Sequence, residues 1–240
     1  MKNLAIIPAR SGSKGLKDKN IKELCQKPLM ACSIEAALKS GCFEVVHVST
    51  DSERYAEIAR GFGADVHFLR SAEMSSDTAD SWDVVVEVLK KYEAEGKVFD
   101  TVCVLQPTSP LRTSEDIREA FGMFEEKAAN AVISVCEADH PPKWFHPLPE
   151  DGDMREFGGG EDLEKRRQDF KTYYRINGAI YLMRTDYFLE DHHNVFREKT
   201  YALIMDKRDS VDIDDIFDFE VAEALYRMRD KRKLFSQQAD

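Results

Sequence analysis

Short apolar runs rich in β-branched residues return along the first part of the chain, at residues 4–7, 45–48, 66–69, 101–105 and 131–135. Each has the length of a buried strand. Between the last two, Ile117, Ala120, Phe121 and Phe124 fall at i, i+3, i+4 and i+7, behind Thr113 and Asp116 at capping-box spacing. Trp82, Val85, Leu89 and Tyr92 form another stripe. The valines at 84–86 would also tolerate a strand, but the length of the segment and its start at Asp80 and Ser81 favour helix. Strand alternating with helix over the first 137 residues predicts βαβ crossovers, hence an α/β fold with a mainly parallel sheet and helices on both faces. Ligands of such sheets bind beyond the carboxyl ends of the strands. The loops that leave the strands are therefore where chemistry is expected.

From residue 138 to about residue 172 the alternation stops. "DHPPKWFHPL" and "FGGGEDLEKRRQDF" sustain neither a period of two nor one of 3.6, and a long irregular insertion in a compact domain is usually functional or an interaction arm. Strands are predicted again in "GAIYLM" and "YALIMD", followed by a last helix carrying Phe217, Val221, Leu225 and Met228 on one face. With 240 residues, 42% of them hydrophobic, the chain can bury a sizeable core. It is expected to be one domain over residues 1–240, with the insertion at 138–172 and no further catalytic domain behind the last helix. No apolar stretch is long enough for a signal peptide core or a membrane span, so a cytoplasmic location is expected. The five cysteines form no C-x-x-C pair and suit small buried side chains.

A formal net charge of −11 disfavours binding to nucleic acid. Against that background residues 1–22 place Lys2, Arg10, Lys14, Lys17, Lys19 and Lys22 opposite Asp18 alone. Such a concentration suits a small, highly charged anion, although a solvated basic loop would look the same. The turn after the first strand lacks the spacing of a Walker A loop and of G-x-G-x-x-G. What it offers is small residues that let backbone N–H groups approach an anion, with Arg10 and Lys14 available for charge-assisted bonds. In "RDSVDIDD" an extended segment would turn Asp212 and Asp214 to one side and Val211 and Ile213 inward, a carboxylate pair suited to Mg²⁺. The alternative makes Asp214 or Asp215 merely the N-cap of the last helix, and both roles can coexist, with Asp215 capping. Gln106, at a strand's carboxyl end, carries a donor and an acceptor that suit a pyrimidine edge or simply cap the strand. His192 and His193 are expected to diverge, and no histidine spacing suggests zinc or a nucleophilic triad.

Read in register, "IIPARSGSKGLKDKNI", "VSTDSERYAEIARGFGADVHFLRSAEMSSDTADS", "LQPTSPLRTSEDIREAF", "YRINGAIYL" and "DSVDIDD" resemble the bacterial acylneuraminate cytidylyltransferases, or CMP-sialic acid synthetases, over nearly the whole chain. The resemblance implies a Rossmann-like nucleotidyltransferase fold and transfer of CMP from CTP to the anomeric hydroxyl of a nine-carbon 2-keto sugar acid, with release of pyrophosphate and a requirement for Mg²⁺. By position it puts Arg10, Ser13, Lys14, Lys19 and Asn20 on the triphosphate, and Arg70 and Gln106 at the cytidine end, with Asp77 and Thr78 in the adjoining loop. Arg175, Asn177 and Tyr181 would line the sugar side, Lys143 and Arg167 would neutralise the sugar carboxylate, and Asp212 and Asp214 would hold the metal. It also implies a homodimer in which the insertion reaches the partner's site. The related CMP-Kdo synthetases share the Pro-Ala-Arg turn but typically carry a second arginine and a Lys-Pro where this chain reads Lys14-Gly15 and Lys19-Asn20. That difference favours the sialate branch over a Kdo enzyme. An intact basic turn and metal pair likewise speak against a non-catalytic nucleotide-binding module. Trp144, Phe145 and the run Gly158 to Gly160 depart from the family pattern and leave the sugar open between sialic, legionaminic and pseudaminic types.

Overall fold

The computed structural model describes residues 1–13, 15–76, 78–155 and 170–236, with side chains of the last helix described up to residue 229. Six strands form one sheet in the order β4-β1-β5-β7-β6-β8: β1 (Asn3–Pro8), β4 (Val45–Ser49), β5 (Thr101–Val104), β6 (Ala131–Glu137), β7 (Tyr174–Arg184) and β8 (Thr200–Ile204). The short strands β2 (Glu23–Leu24) and β3 (Lys27–Pro28) make a separate hairpin. Every pairing in the large sheet is parallel except those of β7, which runs against both β5 and β6. The sheet is thus mainly parallel, as expected. β7 pairs antiparallel with β6, the strand that precedes it in the chain, and an antiparallel neighbour needs no crossover to the far end of the sheet.

Period-two alternation sorts the core into two layers. Ala5 and Ile7 of β1 face one side, with Met30 and Ile34 of α1 (Leu29–Ser40), Ala56 of α2 (Glu53–Gly61) and Phe121 and Phe124 of α4 (Ser114–Glu126). Leu4 and Ile6 face the other, under Val85, Val88 and Tyr92 of α3 (Ser81–Ala94) and Phe188 of α5 (Thr185–Glu190). Helices therefore cover both faces. The expected capping box is present, with the Thr113 hydroxyl accepting from the Asp116 N–H and the Asp116 carboxylate accepting from the Thr113 N–H. Asp80 caps α3 by accepting from the Trp82 N–H.

Three expectations are corrected. Residues 66–69 form no strand: only Asp65 bridges to His47, and beyond it the chain covers the open edge of β4 with Val66 in one core layer and Phe68 against the other. The stripe foreseen on α6 (Ile216–Ser236) points largely outward, with Phe217 69% and Met228 50% exposed. Its buried side is Phe219 and Ala222, which pack with Leu24, Leu29 and Ile213 over the β2–β3 hairpin. A narrow seam suffices there because α6 lies on a small hairpin rather than on the sheet. His192 and His193 do not diverge. They sit in a turn after α5, where neither helical nor extended geometry separates neighbours, and their ring centroids are 4.1 Å apart.

Among the described residues no helix is long and apolar enough to cross a membrane.

Candidate active site

The chain leaves β1 toward β4 on one side and later returns to β5 on the other, so the carboxyl ends of β1 and β5 flank a topological switch point. A cleft of about 560 Å³ opens there, lined among others by Arg10, Ser13, Lys19, Asn20, Arg70, Gln106, Thr108, Asp212 and Asp214. A larger hollow of about 860 Å³ lies at the opposite end of the sheet, against Val98, Phe99, Phe124 and Leu189. It carries no comparable cluster of cations, and the cleft is where the charged loops converge.

The basic turn is held by groups around it. Asp51, just past β4, accepts both the N–H and the hydroxyl of Ser11, each at 2.7 Å. Burial pushes the Asp51 carboxyl upward, but those two bonds outweigh it and hold the group below the usual carboxylate range. The left-handed turn at Asp18, φ 53°, is fixed by the Tyr55 hydroxyl donating to its carboxylate at 3.0 Å. Asn20 is buried and donates to the Arg10 carbonyl at 3.0 Å. Arg10 itself reaches the carbonyl of Ser76, in the loop that carries Thr78. Thr78 is exposed, its hydroxyl 3.4 Å from that of Ser76.

On the facing wall the aspartates alternate as expected. Ile213 is fully buried and tied by its N–H to the Thr108 carbonyl, while Asp212 is half-buried and Asp214 exposed. Burial raises the Asp212 pKa, and the nearby Asp214 charge adds to it, against the opposing pull of Thr108, Lys19 and Arg175. Asp215 is the cap: its carboxylate accepts the Asp218 N–H, and the Asp218 carboxylate accepts the Asp215 N–H. Capping and presentation of Asp212 and Asp214 thus fall to different residues.

The two walls touch. Lys19 Nζ donates to the Ile213 carbonyl at 2.5 Å and lies 3.5 Å from Asp214 Oδ1. A β-carbon on Gly15 would stand 2.5 Å from the Asp214 carbonyl oxygen, so only glycine permits this approach.

At the cytidine end, Arg70 is buried behind Ser49, to whose hydroxyl and carbonyl it donates at 3.1 and 2.8 Å. Burial lowers its pKa to about 10, which still leaves it charged at neutral pH. Gln106 lies against Gly178, where a β-carbon would come within 2.3 Å of its Oε1 and where φ is +73°. Beneath this loop the buried Arg112 donates to the Ser33 hydroxyl and to the carbonyls of Ser109 and Gln106. On the sugar side Arg175 donates to the Ser210 carbonyl and acts electrostatically on Asp212. Tyr181 packs edge-on to Trp82, ring centroids 5.3 Å apart, and burial followed by the Asp212 charge raises its pKa.

Asn177 is placed differently from the expectation. It is 1% exposed, and its amide joins Ser134, Ser210 and the Ala179 N–H inside the protein, so it ties the irregular pairing of β6 and β7 around Ser134 to the aspartate segment instead of facing the cleft. Lys143 stands on the short turn Pro142–Trp144 and is not among the residues lining the cleft. Lys14, Asp77 and Arg167 lie outside the described residues. Sequence reasoning missed Asp51, Tyr55, Thr108, Arg112 and Gly178. Asp51 and Thr108 could have been found by their place just beyond strand ends, whereas Arg112 gave no local signal.

Cations on one wall and two carboxylates on the other suit a polyphosphate carried with a hard divalent cation. Among the described residues the acidic donors lining the cleft are Asp212 and Asp214, with no thiolate or imidazole beside them, a donor set that fits Mg²⁺.

A family model described as Cytidylyltransferase matches residues 4–240. The N-acylneuraminate cytidylyltransferase of Escherichia coli O18:K1:H7 is 39% identical over 234 residues, covering 97% of this chain and 54% of that protein, so the chain spans about half of that relative's length. The CMP-N,N'-diacetyllegionaminic acid synthase of Legionella pneumophila is 36% identical over 229 residues, 95% of this chain and 97% of the relative. The pseudaminic acid cytidylyltransferase of Campylobacter jejuni is 33% identical over 228 residues, again 95% and 97% of the two chains. Among solved structures, CMP:2-keto-3-deoxy-manno-octonic acid synthetase complexed with CTP superposes with a TM-score of 0.70 at 19% identity, covering 95% of this chain and 100% of that one. At that identity the likeness is one of fold.

Proposed function

The chain belongs to the cytidylyltransferase family, and from that membership we propose that it transfers CMP from CTP to the anomeric hydroxyl of a nine-carbon 2-keto sugar acid, releasing pyrophosphate. The observation that carries this reading is the contact between the walls of the cleft. Lys19 and Gly15 of the basic turn meet the main chain of the aspartate segment, so one triphosphate can be gripped from both sides. The names of the relatives, which act on sialic, legionaminic and pseudaminic acids, support the sugar class without choosing a member.

The chemistry follows from charge. A sugar hydroxyl must approach an α-phosphorus ringed by anionic oxygens, while pyrophosphate departs with more negative charge than it held in the bond. Arg10, Ser13, Lys14, Lys19 and Asn20 would hold the phosphates, with Arg10 and the lysines stabilising the charge that develops on them; such preorganised groups usually dominate this kind of transfer. Arg70 and Gln106 would receive the cytidine, with Asp77 and Thr78 in the adjoining loop. Arg175 would attract the sugar acid, and Tyr181, wedged by Trp82, would form the wall on which it rests. Asp212 and Asp214 would hold Mg²⁺. Bound there, the ion would neutralise phosphate oxygens and lower the pKa of the attacking hydroxyl. The reading extends to a homodimer in which Lys143 and Arg167 of the insertion serve the partner's sugar carboxylate, and to a cytoplasmic reaction, where CTP is available.

The test is a pyrophosphate-release assay with CTP and Mg²⁺ across N-acetylneuraminic, N,N'-diacetyllegionaminic and pseudaminic acids and Kdo. Turnover with one nine-carbon acid is expected. Turnover with Kdo alone would move the chain to the eight-carbon branch, and CTP binding without pyrophosphate release from any acid would leave a binding module.

A further inference from the structure

Away from the cleft, three metal-ligating side chains converge at the start of α3. Asp83 lies in its first turn, and His192 and His193 lie in the turn after α5. His192 Nε2 is 2.8 Å from Asp83 Oδ1, and His193 Nε2 is 3.9 Å from the same oxygen. One ligand atom from each residue falls within 4.8 Å of the other two. We propose that Asp83, His192 and His193 form a site for one divalent transition ion of the zinc or nickel type, which ties the start of α3 to the turn after α5.

Spacing and chemistry point the same way. Ligand atoms each about 2.0–2.1 Å from a metal stand roughly 3 Å from one another. Asp83 and His192 already have that separation, and His193, 60% exposed with its ring beside that of His192, stands about 1 Å beyond it. Two imidazoles and a carboxylate favour zinc, nickel or copper over magnesium, the opposite preference to the all-oxygen pair in the cleft. Three protein ligands at the surface leave the remaining coordination positions to water.

The supports are rigid. Trp82, next to Asp83, is wedged between Tyr181 and Phe188 with ring centroids 5.3 and 5.8 Å away. Phe188 also flanks His192, at 5.9 Å. A metal would thus join two elements that already share an aromatic wedge, and through Trp82 it would steady the wall carrying Tyr181. Ser81, which lines the cleft, is two residues from Asp83. The bound ion would act on the cleft through these elements, without touching a substrate.

The experiment is calorimetric titration of the full chain with Zn²⁺ or Ni²⁺ in excess Mg²⁺, so that the cleft aspartates are occupied, together with the visible absorption of added Co²⁺ as a report of imidazole ligation. One equivalent should bind, at least tenfold more weakly in Asp83→Asn and in His192→Ala. A hundredfold excess of Zn²⁺ over Kd should raise the melting temperature by roughly 5 °C, by mass action, and this rise should vanish in Asp83→Asn. His192→Gln keeps a hydrogen-bond partner for Asp83 while removing the imidazole, so its folded, metal-blind behaviour separates loss of the site from loss of the fold. Wild-type protein that binds no saturable equivalent, or variants that bind and melt as the wild type does, would leave only an ion pair and overturn the site.

Discussion

At Gly15 a β-carbon would stand 2.5 Å from a main-chain oxygen of Asp214, and main chain cannot swing aside as a side-chain tip can. Gly15→Ala should therefore push the basic turn and the aspartate segment apart. A misplacement of about 1 Å at a reacting centre can cost roughly a hundredfold, so kcat/KM for CTP is expected to fall by about that factor while the melting temperature shifts only slightly. Steady-state kinetics beside a thermal melt would check this, and unchanged kinetics would mean that the walls can part without loss. Arg10→Ala removes a preorganised cation and should cut turnover by roughly a hundredfold or more; normal pyrophosphate release from this variant would reduce Arg10 to a holder of Ser76. The sequence made Arg10, Lys19, Asp212 and Asp214 legible because charge stands out against apolar strands. It could not announce Asn177 as a buried joint, because an amide beside a glycine reads alike whether it faces a ligand or Ser134 and Ser210.

Elements were legible wherever one face is buried and the other wet. α3 and α4 showed their periods and caps, and the parallel strands showed their continuous apolar runs. The reversal of β7 was hidden because strand direction depends on how the chain returns, and the intervening segment has no period to follow. The β2–β3 hairpin, two residues to a strand, is too short to show a pattern. The loop Gln106–Arg112 is steadied in a way its sequence conceals. Arg112 is fully buried with no carboxylate within bonding distance among the described residues, and burial lowers its pKa to about 10. Removing it relieves a buried charge but takes a charged donor from the Ser33 hydroxyl and from the Ser109 and Gln106 carbonyls, which keep only their main-chain and hydroxyl donors, a loss of about 1.5–3 kcal/mol for a bond to a charged group. Because these effects oppose each other, Arg112→Met should move the melting temperature by only a few degrees. Its cost should appear at the base-reading end instead, as a rise of about tenfold in KM for CTP with kcat less affected. A large drop in melting temperature with KM unchanged would assign Arg112 to folding alone.

Across the whole molecule, the cleft gathers residues from positions 10 to 214 because helices on both sides send successive loops to one end of the sheet, and burying that sheet has a consequence for acid stability. His47 in β4 is fully buried; its Nδ1 is 3.1 Å from the Tyr92 hydroxyl and its Nε2 has no partner among the described residues. Burial depresses its pKa to about 3, against a smaller upward pull from Asp65. Because the unfolded chain takes up this proton near pH 6.5 and the folded chain does not, the unfolded state binds more protons between those values. Stability must fall as pH drops below 6.5, by up to about 1.4 kcal/mol per pH unit, or roughly 2 kcal/mol by pH 5. His67 works in the opposite sense. Partial burial lowers its pKa, but bonds from Asp65 and Glu95 outweigh it and raise the value overall. Its contribution is complete below the unfolded pKa and lost as pH rises through the higher folded one, and solvent screening keeps it small. Asp51 and Asp65, held below the usual carboxylate range, add stability that is lost only in stronger acid. The loss between pH 6.5 and 5 therefore belongs chiefly to His47. Urea denaturation at pH 7.5, 6.5 and 5.0 should show it in the wild type and largely abolish it in His47→Gln, whose neutral amide can still meet Tyr92. Equal slopes in the two proteins would mean that His47 takes up its proton in the folded state as readily as in the unfolded chain.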